Sequence, residues 1–213
     1  MIITRYGENA IRVQFGTAIN LESHVKVLQF FHYVKNIRRD DIIDITPSFN
    51  ACLIHFDSRK TAYQSLADAL AGKETEMASV AIPEPHTHDI PVGYGGKEGP
   101  DMSAVCDETG LAEEDVVRIH QSVLYHVFTI GFIPGFAYLG ILDQRLSVPR
   151  LETPRIRVPQ GSIGIAQLQT GIYPFDSPAG WRIIGKTDVK LFNHEKPPYS
   201  LMQIGDRVRF ISI

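Results

Sequence analysis

The stretch Gly161-Ser162-Ile163-Gly164-Ile165-Ala166-Gln167-Leu168-Gln169-Thr170-Gly171-Ile172-Tyr173-Pro174 decides how the C-terminal part of this chain folds. Its aliphatic residues come in runs too short for a helix, interrupted at close intervals by glycine and proline. The same grammar extends outward through Gly131, Pro134, Gly135, Gly140, Pro149, Pro154 and Pro159 on one side and Pro178, Gly180 and Gly185 on the other. Short strands joined by many tight corners predict a closed or nearly closed β-barrel. The glycines also let backbone approach a ligand closely, while Gln169, Thr170 and Tyr173 supply donors and acceptors able to hold an amide or carboxylate.

Upstream of this run, Glu113 to Val123 and Met102 to Cys106 carry helical spacing. Further back, Pro83-Glu84-Pro85-His86-Thr87-His88 has two prolines and no periodic apolar face, and reads as a linker in which neither histidine is assigned a role. Before it, Ile11, Val13 and Phe15 alternate with Arg12 and Gln14 as in a strand, and Asn20 caps a helix with Leu21, Val25, Leu28, Phe31 and Val34 along one stripe. Strands at Ile42–Ile45 and Ala51–Phe56, a helix from Tyr63 to Gly72 and a last strand at Ser79–Ile82 complete a β-α-β-β-α-β order. The predicted organisation is an α+β, ferredoxin-like domain over 1–83, a linker over 84–88 and a β-barrel domain with short helices over 89–213.

The 213 residues are 44% hydrophobic with a formal net charge of -3, so no basic excess is present to neutralise nucleic acid or an anionic membrane. The sequence from Met1 lacks signal-peptide grammar, and no apolar run approaches the roughly 20 residues of a membrane span. A cytoplasmic protein is expected. Cys52 and Cys106 are far apart, in segments that read as strand and helix, which gives neither a disulfide framework nor a metal site.

Three segments are candidates for chemistry. Gly131 to Leu139 places Phe132, Phe136 and Tyr138 where Gly and Pro forbid a regular helix, which suits either a core corner or a loop lining a pocket. In Thr153-Pro154-Arg155-Ile156-Arg157-Val158-Pro159 the two arginines share one face of an extended strand and could fork onto a carboxylate or phosphate. Ser177-Pro178-Ala179-Gly180-Trp181 holds the single tryptophan. No Gly-Lys-Ser/Thr phosphate loop, dinucleotide fingerprint or nucleophile elbow is present, so a hydrolase complete in one chain is rejected and no catalytic residue is assigned.

Together these motifs, with Ile184-Gly185-x-Thr187, Ile90-Pro91-Val92-x-Tyr94-Gly95-Gly96 and Gly205-Asp206-Arg207-Val208-Arg209-Phe210, closely resemble the family of the 5-oxoprolinase B component (PxpB), KipI and allophanate hydrolase subunit 1, the carboxyltransferase domain, subdomain C/D. The resemblance covers essentially the whole chain and implies that the barrel is cyclophilin-like. By that resemblance Arg155, Arg157, Gln169, Thr170 and Tyr173 contact substrate, and Phe132, Pro134, Phe136, Pro174 and Trp181 form pocket walls. Three positions depart from the family pattern. Gln167 stands where glycine is usual, Ala179 replaces the first glycine of Gly-Gly-Trp, and Gly93 replaces a common cysteine.

The implied function is that of a subunit, inactive alone, of an ATP-dependent 5-oxoprolinase that opens 5-oxo-L-proline to L-glutamate. The lactam carbonyl is a poor electrophile, and phosphorylating its oxygen makes it a leaving group. Implied partners are a second cyclophilin-like subunit of the PxpC/KipA type and a third of the PxpA/LamB type, with ATP used by the complex rather than gripped by a motif in this chain. The alternatives are a KipI-like inhibitor of sensor histidine kinase autophosphorylation, or a subunit of an allophanate hydrolase or urea carboxylase assembly.

Overall fold

A computed structural model describes residues 1–213, and their contacts divide them into Met1–Glu84 and Pro85–Ile213. In the first unit, the alternation around Ile11 and Val13 produces strand β2 (Ala10–Gln14), with both aliphatic side chains fully buried. Around it lie β1 (Ile2–Arg5), α1 (Leu21–Ile37), β3 (Ile42–Ser48), β4 (Ala51–Phe56), α2 (Tyr63–Leu70) and α3 (Glu74–Ala78). The sheet order is β1-β2-β4-β3, antiparallel throughout.

This order overturns the ferredoxin-like reading. That reading needs a closing strand at Ser79–Ile82, but these residues form no strand, and the edge of β2 is taken instead by β1. Pairing β1 with β2 requires only a short turn through Gly7, at φ 73°, so it costs far less loop-closure entropy than a return from residue 79. Meanwhile Glu74 and Glu76 sit in the first turn of α3, where the helix dipole favours negative charge.

The cap of α1 forms as expected, with Asn20 Oδ1 accepting the Ser23 N–H at 2.8 Å. Its buried face keeps the expected Leu28 and Val34 but is centred on His24, Val27, Phe30 and Tyr33, while Leu21 and Val25 face solvent. Both stripes have helical spacing. The sheet takes the one carrying the larger aromatic area.

The second unit contains β5 (Thr87–Tyr94), α4 (Met102–Thr109), α5 (Glu113–Ser122), β6 (Tyr125–Ile130), β7 (Ala137–Gly140), β8 (Arg155–Val158), β9 (Ser162–Ala166), β10 (Gln169–Ile172), β11 (Ser177–Ala179), β12 (Arg182–Lys186) and β13 (Arg207–Ser212). Seven of these strands close into a barrel in the order β10-β7-β6-β13-β5-β12-β9, sealed by the β9–β10 hairpin. Val127, Leu139, Ile163, Ile165, Ile172 and Phe210 fill its interior. Strands β8 and β11 form a separate two-stranded ribbon.

The chain is therefore dominated by a closed seven-strand barrel with few helices, and the expected class, a ferredoxin-like domain followed by a separate cyclophilin-like barrel, is corrected. Thr87 and His88, expected in the linker, open β5. Their place is fixed by buried Asp206, which accepts the His86 N–H at 3.1 Å and lies 2.9 Å from His88 Nε2. No helix is long and apolar enough to cross a membrane.

Candidate ligand cleft on the barrel wall

The glycine-rich stretch shapes the outer wall of the barrel. In β9 and β10 Ile163, Ile165, Thr170 and Ile172 point inward, so Gly164 and Gly171, which pair across the hairpin, face out. A Cβ on Gly171 would lie 2.8 Å from Phe136 Cζ, and one on Gly164 would lie 3.1 Å from both Trp181 Cβ and Tyr173 Cε2. Two missing side chains thus give three rings room to pack directly on backbone. Phe136, Tyr138, Tyr173 and Trp181 meet there in edge or tilted contacts with centroids 4.9–5.8 Å apart, joined by Val158, Ala166 and Ile183.

The outer face of this cluster is hollow. A cleft of about 280 Å³ is lined by Phe132, Phe136, Tyr138, Tyr173 and Trp181, with Pro154 and Pro178 and the side chain of Arg150. Phe132 stands at the edge with φ 73°, a left-handed conformation that costs a non-glycine residue about 1–2 kcal/mol, and the residue is 61% exposed. Burial raises the Tyr173 phenol pKa, with the charge of Tyr138 adding to it and those of Arg150 and Arg155 partly opposing it. Burial likewise raises that of Tyr138, again opposed by Arg150. Both hydroxyls stay protonated at neutral pH and can donate hydrogen bonds.

The arginines around the cleft differ in what holds them. Arg155 pairs with Asp101, a buried carboxylate whose other oxygen accepts the Ile183 N–H at 2.6 Å, tying the start of α4 to β8 and β12. Arg157 Nε donates to Asp176 at 2.8 Å, and Arg182 pairs with Glu108. The side chain of Arg150 instead sits over Trp181, 5.9 Å from the ring centroid.

Behind the wall, a polar chain crosses the barrel interior. Thr170 Oγ1 donates to the Gly164 carbonyl at 3.0 Å and lies 3.0 Å from His120 Nε2, while Tyr94 Oη lies 2.8 Å from His120 Nδ1. Since the single hydroxyl proton of Thr170 is committed to Gly164, His120 Nε2 must carry a hydrogen and Nδ1 must accept from Tyr94. Burial holds the imidazole pKa down at about 3, so it is neutral.

Of the residues singled out in the sequence, the structure brings Phe132, Phe136, Tyr173 and Trp181 together and leaves Pro134 and Pro174 outside the cleft wall. Thr170 faces the barrel interior and Gln169 is half-buried beside the hairpin turn. Strand β8 does not belong to the barrel, and Ile156, which alternates with the two arginines, is 91% exposed. Gln167 lies at the exposed two-residue β9–β10 turn with φ 52°, which explains why glycine is usual there and places its side chain away from the cleft. Arg150 is the cleft residue that sequence reasoning does not reach. One arginine before the Thr-Pro-Arg motif carries no spacing rule that separates it from a solvated surface charge. A larger groove of about 570 Å³ beside Tyr94, Glu113 and Arg118 is wide open and built mainly from the polar face of α5.

Residues 1–202 match the family model described as carboxyltransferase domain, subdomain C and D. The chain belongs to this family. Within it, the chain is 34% identical over 222 residues to the B component of 5-oxoprolinase from Bacillus subtilis (strain 168), covering 99% of this chain and 92% of that one. The component of the same name from Escherichia coli O157:H7 is 34% identical over 205 residues, covering 96% and 93%. Among solved structures, TTHA0988 is similar with a TM-score of 0.83 at 30% identity, over 96% of this chain. The chain spans 40% of that structure's length. The carboxyltransferase C/D match thus runs as one fold through nearly the whole sequence, in line with the barrel-dominated class.

Proposed function

We propose that this chain is a subunit of an ATP-dependent 5-oxoprolinase complex that converts 5-oxo-L-proline to L-glutamate. The observation that carries the proposal is the aromatic cleft, in a chain that matches relatives named as the B component of 5-oxoprolinase over nearly its whole length. A five-membered lactam is flat and small, with apolar ring faces and a polar edge. Phe132, Phe136, Tyr173 and Trp181 offer walls for the faces, and the phenols of Tyr138 and Tyr173 offer donors for the edge. Arg155, fixed by Asp101 next to Pro154, keeps the strand that borders the cleft in place.

ATP does not fit this cleft. The volume of about 280 Å³ suits a small ring, one arginine cannot neutralise a triphosphate, and no phosphate-cradling glycine loop precedes a helix here. No step involving the nucleotide is therefore assigned to these residues. The role left to this chain is to bind and orient the lactam and to shield it from bulk water, which agrees with a protein that works as a subunit and is inactive alone. The test is ATP-dependent glutamate formation from 5-oxo-L-proline by the chain alone and with its partner subunits. Turnover that requires this chain and its partners is expected, and none from a well-folded complete set refutes the proposal.

A further inference from the structure

We infer that Arg150 is the residue that reads the ligand's carboxylate, so the cleft selects small flat rings bearing one anionic group. This inference deepens the 5-oxoprolinase reading and rests on it for the identity of the ring. Charge pairing separates this arginine from four others of the same unit. Arg145, Arg155, Arg157 and Arg182 are each paired with a carboxylate of this chain, from Asp143, Asp101, Asp176 and Glu108 respectively. Arg150 has no carboxylate within ion-pairing distance, and it is the one charged side chain among the cleft-lining residues.

Its setting suits anion capture. The guanidinium lies 5.9 Å from the centroid of Trp181, a contact that orients the planar fork and leaves its N–H groups unused. The aromatic walls beside it exclude water from one side, which strengthens an ion pair formed there relative to one in open solvent. Arg155 is placed differently: one arm of its guanidinium is held by buried Asp101, its Nη1 is buried without a partner, and the residue is not among those lining the cleft. A neutral lactam would find the same walls and phenols but would leave Arg150 unpaired. The carboxylate is therefore the discriminating group.

The test is steady-state kinetics of the reconstituted complex with Arg150→Gln, Arg150→Lys and, as a remote control, Arg145→Gln. Loss of a charge-assisted, partly exposed contact predicts a rise in KM for 5-oxo-L-proline of roughly tenfold or more. kcat should stay within about twofold, Arg150→Lys should recover part of the loss and Arg145→Gln should match wild type. An active complex whose KM is unmoved by Arg150→Gln overturns the inference and leaves the enzyme reading intact. If the wild-type complex fails to turn over, the enzyme reading falls, and emission from Trp181 then decides the role of Arg150. Tighter binding of 5-oxo-L-proline than of uncharged 2-pyrrolidinone, with the difference lost in Arg150→Gln, upholds it. Equal binding of the two, or no response to either, overturns it.

Discussion

Acid should unfold this protein through His120, and the size of the effect follows from its surroundings. The imidazole is fully buried between Tyr94, Tyr125, Thr170 and Phe210, with its pKa held near 3 against an ordinary value of 6.5. Because the folded pKa lies below the unfolded one, the unfolded chain binds a proton between those two values that the folded chain refuses. Stability is then complete above pH 6.5 and falls as the pH drops below it, by about 1.4 kcal/mol per pH unit. Between pH 6.5 and 4.5 this amounts to about 2 kcal/mol, since the unfolded imidazole is already half protonated at pH 6.5, a sizeable part of the 5–15 kcal/mol typical of a domain. His24 is also buried and shifted downward, so it adds to the slope with the same sign. The variant His120→Gln isolates the central term, since a glutamine amide can donate toward Thr170 and accept from Tyr94 without titrating. Urea unfolding followed by Trp181 emission at pH 6.5 and 4.5 should show a wild-type loss that exceeds the variant's by about 2 kcal/mol. Equal losses would refute the assignment of a neutral, desolvated His120.

Three further substitutions probe the architecture of the cleft. Gly171→Ala places a methyl 2.8 Å from Phe136 Cζ and 3.0 Å from the Ala137 carbonyl, so it should cost about 1–3 kcal/mol and shift Trp181 emission, as a thermal melt and a spectrum would show. Asp101→Asn keeps an acceptor for Ile183 N–H but removes the charge beside Arg155; with Arg155 one-third exposed, a loss of about 1–3 kcal/mol is expected by urea titration. Gln167→Gly relieves a left-handed φ at an exposed turn and should raise stability by about 0.5–1 kcal/mol, with ligand affinity unchanged in a direct titration.

What can be read from the sequence is whatever depends on local chemistry. The Asn20 cap, the alternation of Ala10–Gln14 and the glycine and proline corners of the barrel each follow from neighbouring residues. The first unit's topology is not legible in this way, because β1 is only four residues with a weak pattern and the competing closing strand at Ser79–Ile82 looks equally good. In α1 two stripes satisfy helical spacing, and tertiary area chooses between them. At the site, Phe132, Phe136, Tyr173 and Trp181 are reached through the family resemblance, since the residues alone leave the aromatic loop open between a core corner and a pocket lining. The division of labour among the arginines is not legible. Which guanidinium is paired depends on Asp101 and Asp176, carboxylates that only the fold brings near Arg155 and Arg157.

The claim that the outer-wall cleft holds the lactam is tested most directly by titrating the chain with 5-oxo-L-proline while following Trp181, the single tryptophan. The aromatic lining of the cleft comes from this chain, and binding by the chain alone is the prediction. A saturable change in Trp181 emission with 5-oxo-L-proline, absent in a Phe136→Ala variant that still folds, is the predicted result. Turnover by the complex with no Trp181 response, or a response unaffected by Phe136→Ala, would contradict the claim and place the substrate elsewhere.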